Sequence, residues 1–81
     1  MKTLALNSLG EEVALTSSEL VACKQALEIE REEFTTLFFQ GLSSSKKIYV
    51  VVSKNDDISR SYLMQLLRKR FGENINNEKY N

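Results

Sequence analysis

Residues 47–53 form the most β-prone segment of the chain and constrain its fold more than any other stretch. Four β-branched residues and a tyrosine follow one another there, as Ile48, Tyr49, Val50, Val51 and Val52. Residues of these types are enriched in strands, and the run is short for a helix. We therefore expect a strand over residues 47–53. If residues 46–54 were helical instead, the protein would be mostly α, with a helix-turn-helix ending in residues 58–71.

Two segments before this run predict a hairpin and a helix. Residues 2–7 and, more weakly, 12–15 alternate in polarity, and Gly10 between them can adopt the positive φ of a turn. Thr16-Ser17-Ser18-Glu19 has the form of a capping box, and apolar residues recur at helical spacing after it. We expect a helix over residues 17–40, ended by Gly41. The charged segment 28–33 leaves open whether this helix is one piece or two.

The last predicted helix covers residues 57–71 and is the clearest element. Its start is expected at Asn55-Asp56-Asp57, a turn followed by an N-cap, and its end at Gly72. One face is apolar, formed by Ile58, Tyr62, Leu63, Leu66, Leu67 and Phe71. Residues 73–81 are polar and predict a disordered tail.

Together these elements predict an α+β fold in a single small domain, residues 1–72. The strand at 47–53 can pair with the hairpin as a third strand, with both helices covering one face of the sheet. A chain of 81 residues buries a limited share of its surface, which favours a homodimer.

The charge is unevenly distributed along the chain, although its formal total is zero. Residues 1–40 carry three cations and seven carboxylates, whereas residues 41–81 carry eight cations and four carboxylates. An acidic half followed by a basic half indicates a polyanion-binding C-terminal region or self-association. Solvated helix faces with chance clustering are the alternative explanation.

The composition argues against catalysis, cofactors and metals. The chain lacks His, which excludes His-based triads and Cys₂His₂ zinc sites, and its glycines stand alone rather than in a phosphate loop. Cys23 lies on the apolar side of the first predicted helix and is expected in the core. We expect the carboxylates of four glutamates to lie on a solvated face of the helix: Glu28, Glu30, Glu32 and Glu33. We therefore expect a protein that is not an enzyme.

The location predicted from sequence is the cytoplasm. No apolar run approaches the ~18 residues that a membrane span needs, and the N-terminus does not resemble a signal peptide. A single cysteine cannot form an intrachain disulfide, which fits a reducing compartment.

The polar face of the last helix predicts contact with double-stranded DNA. Ser61, Gln65 and Arg68 are spaced to lie opposite the apolar stripe, flanked by Arg60 and Lys69. Gln and Arg can make bidentate contacts to adenine and guanine in a major groove. The lysines expected to neutralise phosphates are Lys46, Lys47 and Lys54. An ordinary amphipathic helix with a cationic end is the alternative.

Two short stretches resemble bacterial DNA-binding regulators. Ile58-Ser59-Arg60-Ser61-Tyr62-Leu63, followed by residues 66–72 (Leu-Leu-Arg-Lys-Arg-Phe-Gly), resembles the recognition-helix segment of AraC-type regulators. Residues 12–20, with Leu-Thr-Ser-Ser-Glu at their centre, are similar to the strand-to-helix entry of OmpR- and ToxR-type winged-helix domains. The resemblance implies a helix that enters a major groove.

The departures limit what the resemblance implies. AraC-type domains have a helix where this chain has its β-prone segment, and winged-helix domains need a C-terminal hairpin that nine polar residues after Gly72 do not supply. Our leading hypothesis is a small dimeric regulator of transcription from a bacterium, phage or plasmid. The alternative is an adaptor or anti-activator that binds a protein through the acidic, Phe-rich first helix. The residues expected at such an interface are Phe34, Phe38 and Phe39.

Overall fold

Five elements follow one another in a computed structural model that describes residues 1–40 and 46–75. They are β1 (Lys2–Asn7), α1 (Ser17–Ile29), β2 (Phe34–Gln40), β3 (Lys47–Ser53) and α2 (Arg60–Phe71). The three strands form one antiparallel sheet in the order β1-β3-β2. The predicted α+β class is confirmed.

The strand predicted at residues 47–53 is confirmed, and it occupies the centre of the sheet. β1 pairs with it on one side and β2 on the other. Every residue from Ile48 to Ser53 is buried. A strand covered on both faces needs apolar side chains at successive positions, which explains its unbroken hydrophobic run. The mostly α alternative is therefore wrong.

The helix expected over residues 17–40 is wrong in its second half. α1 ends at Ile29, Glu30 is its extended C-cap, and the chain then enters β2. The segment from Phe34 to Phe39 is rich in aromatic and β-branched residues, and pairing with the edge of β3 makes the strand the better structure. The predicted helix end at Gly41 lies outside the described residues.

The two helices pack on opposite faces of the sheet, so the expectation that they share one face is wrong. α2 covers a cluster that includes Leu4, Leu6, Tyr49 and Val51. α1 covers Ala5 together with three β3 residues on the other face, Ile48, Val50 and Val52. Successive residues of β3 point to opposite faces, and both sets are apolar, so each face requires its own cover.

The N-terminal hairpin forms only in part. β1 is present, but the return segment contributes a single bridge, between Leu6 and Glu12. The Val13 N–H donates to the Ala5 carbonyl at 3.0 Å. Gly10 has φ 82°, in the region that the predicted turn requires.

A side chain caps the start of each helix. The cap of α1 is the predicted residue, and the cap of α2 is a different residue from the one expected. The capping box is confirmed: the Thr16 hydroxyl accepts from the Glu19 N–H, and the Glu19 carboxylate accepts from the Thr16 N–H. Ser59, not Asp57, caps α2 through its hydroxyl. The Asp57 N–H instead donates to the Asn55 side chain in a local turn.

The start of the predicted tail belongs to the core. Turns follow α2, and the N–H groups of Asn74 and Ile75 both donate to the Phe71 carbonyl. These bonds turn the chain back so that Ile75, 1% exposed, joins the cluster under α2. Gly72 has right-handed helical backbone angles rather than a positive φ. Residues 76–81 of the predicted tail lie outside the described residues.

Candidate functional site

The exposed face of α2 carries the polar residues expected there. Leu63 and Leu67 are fully buried against the sheet. Ser61, Gln65 and Arg68 are all exposed, because they lie on the side of the helix away from these leucines. The sheet therefore supports one face of α2 and leaves the other accessible.

α2 is strongly cationic. Its last turn contains Arg68, Lys69 and Arg70, its start contains Arg60, and it contains no carboxylate. The Arg70 guanidinium carbon lies 5.1 Å from the ring centroid of Phe71. Three cations at a helix C-terminus also match the negative end of the helix dipole.

Arg60, at the start of α2, is ion-paired. Its guanidinium contacts the Glu12 carboxylate, and both side chains are about half exposed (51% and 55%). This pair connects the start of α2 to the segment that follows Gly10. Because the Glu12 carboxylate partly neutralises the charge of Arg60, this residue attracts a polyanion less strongly than an unpaired arginine would.

The three lysines outside α2 do not form one surface with it. Lys47 lines the same groove as Phe71, on the α2 side of the sheet. Lys54 follows the other end of β3, where its ammonium donates to the Glu30 carbonyl at 2.8 Å. It lies there beside residues of α1. Lys46 is exposed next to Lys47 in sequence.

The carboxylates of the first half of the chain are only partly separated from α2. The carboxylates that follow one another in the first half of the chain belong to α1 or to its connection with β2, at Glu28, Glu30, Glu32 and Glu33. α1 and α2 cover opposite faces of the sheet, but two carboxylates lie beside α2. Glu12 pairs with Arg60, and Glu30 lines a groove with Lys69 and Arg70. Within residues 1–40 and 46–75 no cluster of three or more potential metal ligands occurs.

Cys23 is fully buried under α1, as expected from its place on the apolar side. Desolvation by burial raises the pKa of its thiol, and the nearby Glu19 carboxylate raises it further. Both effects disfavour the thiolate, the reactive form.

The three phenylalanines predicted at an interface are distributed by the strand period. Phe34 packs against the cluster under α2, whereas Phe39 packs against the cluster under α1. Phe38 is 45% exposed. The acidic, Phe-rich helix of the adaptor hypothesis does not form, because these residues belong to β2.

A second accessible surface, not foreseen from sequence, is the groove between β2 and α2. α2 packs on β1 and β3, so the α2-facing side of β2 is incompletely covered. Thr36 and Phe38 lie on that side. The signal in the sequence was the spacing of two residues from Phe34 to Thr36 to Phe38, which the helical interpretation of this segment obscured.

A comparison with known protein families, curated proteins and solved structures found no match for this chain. Within the part of the chain that the structure describes, neither helix has the length and apolarity to cross a membrane.

Proposed function

We propose that this protein is a small, non-enzymatic DNA-binding regulator of transcription that inserts the exposed face of α2 into a major groove. One observation carries the proposal: α2 has four cations and no carboxylate, and its polar face is exposed. An exposed cationic helix of this kind orients a neutral protein toward a polyanion.

The dimensions and the residue types of α2 suit this role. An α-helix with side chains is about 10–12 Å wide, close to the ~12 Å width of the major groove. Gln65 and Arg68 supply side chains that recognise adenine and guanine, and Ser61 supplies an adaptable hydroxyl. Lys69, Arg70 and Lys47 are the candidates for phosphate contacts. Two copies would double these contacts on a palindromic site.

The mode of support differs from a helix-turn-helix. β3 precedes α2 in the sequence, and α1 lies on the other side of the sheet. α2 would therefore enter the groove as a single helix backed by a sheet. The proposal rests on the charge and exposure of α2 and does not depend on the AraC-type resemblance.

A polarisation assay with DNA tests the proposal. Fluorescent duplexes enriched from a random pool would be titrated with the full chain at 50 and 200 mM salt. Binding should weaken steeply with salt. Arg68→Ala should weaken binding by about 1–3 kcal/mol, roughly 5- to 150-fold.

Lys24→Ala is the matched control, because Lys24 is an exposed cation of α1 on the opposite face. It should leave the affinity within about twofold, since it removes the same charge far from α2. Equal losses for both variants, or no binding at 50 mM salt, would contradict the proposal.

A further inference from the structure

β2 has an open outer edge. It is the last strand of the sheet, and within residues 1–40 and 46–75 no strand pairs with its other side. The edge of β1 differs, because the segment after Gly10 covers it: the Asn7 N–H donates to the Glu11 carbonyl, and the Val13 N–H donates to Ala5. Open strand edges are sites where another chain can pair.

The pairing with β3 determines which backbone groups of β2 point outward. The Lys54 N–H donates to the Glu33 carbonyl at 2.8 Å, and the register continues from there along β2. In an antiparallel pair alternate residues bond to the partner, so the odd-numbered residues of β2 face β3. The N–H and C=O groups of Thr36 and Phe38 therefore point away from the sheet.

These outward groups lie beside a groove with apolar and cationic walls. Near the start of β2 the groove is lined by Phe34, Thr36, Leu66, Lys69 and Arg70. Near its end the lining includes Phe38, Gln40, Lys47 and Phe71. An added strand would place alternate side chains against these walls.

The charge of the groove indicates its occupant. Lys69, Arg70 and Lys47 line it, against one carboxylate, Glu30 at one end. A second copy of the chain, paired edge to edge, would bring the same three cations to both sides of the joined sheet. An acidic segment instead complements them, because unlike charges across an interface attract and like charges repel.

We propose that the groove between β2 and α2 binds an extended acidic segment of a partner protein, which adds to the outer edge of β2 as a fourth strand. Strand addition of this kind derives its affinity from main-chain hydrogen bonds and its specificity from the pockets for alternate side chains. The proposal goes beyond DNA binding. The groove shares Lys69, Arg70 and Lys47 with the proposed phosphate contacts, but it does not include Ser61, Gln65 or Arg68.

Peptide binding to the full chain tests this proposal. The probe is a fluorescein-labelled ten-residue peptide of alternating Glu and Val with blocked ends. One control alternates Lys and Val, and the other is the Glu-Val peptide N-methylated at every second residue, in both possible phases. We expect the Glu-Val peptide to bind, and the Lys-Val peptide to bind at least about tenfold more weakly. At least one of the two N-methylated forms should be weakened to a similar degree, because only alternate N–H groups of an added strand face β2.

A pair of variants tests the edge itself. Thr36→Pro removes an outward N–H and leaves the bonds to β3 intact, whereas Thr36→Val keeps that N–H. Circular dichroism confirms that each variant is folded. Thr36→Pro should reduce peptide affinity about tenfold and Thr36→Val less than threefold. If Thr36→Pro does not fold, the N-methylated peptides decide the question without altering the protein.

Three results would overturn the proposal. They are no binding of the Glu-Val peptide, undiminished binding of both N-methylated forms, and a homodimer that Thr36→Pro dissociates in sedimentation. The last would make a second copy the occupant. The two proposals fail separately, because Arg68→Ala should leave the peptide affinity within about twofold and Thr36→Pro should leave DNA binding unchanged.

Discussion

The rings of Phe38 and Tyr49 lie with their centroids 5.1 Å apart, tilted by 40°, on neighbouring strands of the sheet. Tyr49 in turn contacts Phe71 of α2, at 5.2 Å between centroids. These contacts join β2, β3 and the end of α2 in one aromatic row. Phe38 is its exposed end, which places an aromatic side chain at the groove between β2 and α2.

The first prediction concerns the two neighbouring phenylalanines of β2. Phe39→Ala should lower the free energy of unfolding by about 3 kcal/mol, the low end for a core phenylalanine, because Phe39 is partly buried against the core under α1. Phe38→Ala should cost about 1 kcal/mol, since it loses mainly the contact with Tyr49. Urea unfolding followed by circular dichroism measures both. The reverse order would indicate that residues 34–39 do not form the described strand.

The second prediction concerns the residues after α2. Ile75 is 1% exposed, so Ile75→Ala should lower the free energy of unfolding by about 2–4 kcal/mol. Asn74→Ala is the control, because Asn74 is exposed and its backbone bond is kept. A loss below about 0.5 kcal/mol for Ile75→Ala would place residues 73–75 in a tail after all.

The third prediction concerns the start of α1. Thr16→Ala removes the hydroxyl that accepts from the Glu19 N–H and should lower the free energy of unfolding by about 0.5–2 kcal/mol. Thr16→Ser keeps the hydroxyl and should restore most of this loss. Chemical denaturation of both variants measures the difference. Equal stabilities would mean that the capping box contributes nothing.

The fourth prediction concerns pH and Cys23. Burial raises the pKa of the thiol in the folded protein above 9.0, the value that applies to the unfolded chain. The unfolded chain therefore releases its proton first as the pH rises. The stability from the buried neutral thiol is complete below pH 9.0 and is lost as the pH rises through the folded pKa.

Cys23→Ala provides the comparison for this pH dependence. Denaturation curves at pH 7 to 10 should show a steeper loss of stability in the native chain than in Cys23→Ala. Lysines and tyrosines contribute equally to the pH dependence of both proteins. Their contribution therefore cancels in the difference between the two unfolding free energies at each pH. Parallel curves would contradict an unfavourable environment for the thiolate.

Several features could be predicted because local sequence is sufficient to produce them. The Thr16–Glu19 capping box requires only residues three positions apart, and Gly10 needs only its own conformational freedom. The β-branched run at residues 48–52 has few alternatives to a strand. The exposure of Ser61, Gln65 and Arg68 follows from the helical period once Leu63 and Leu67 are buried.

Other features depended on contacts between distant residues. The segment from Phe34 to Phe39 fits two periods, since Phe34, Leu37 and Phe38 match a helix and Phe34, Thr36 and Phe38 match a strand. Residues 34–39 form a strand rather than a helix because they lie beside the edge of β3. Only a strand at that edge can pair with the backbone N–H and C=O groups of β3. The opposite placement of the helices has a similar origin. The sequence alone determined that the last helix is basic on one face and apolar on the other, but only the apolar residues on both faces of β3 placed the two helices on opposite sides of the sheet.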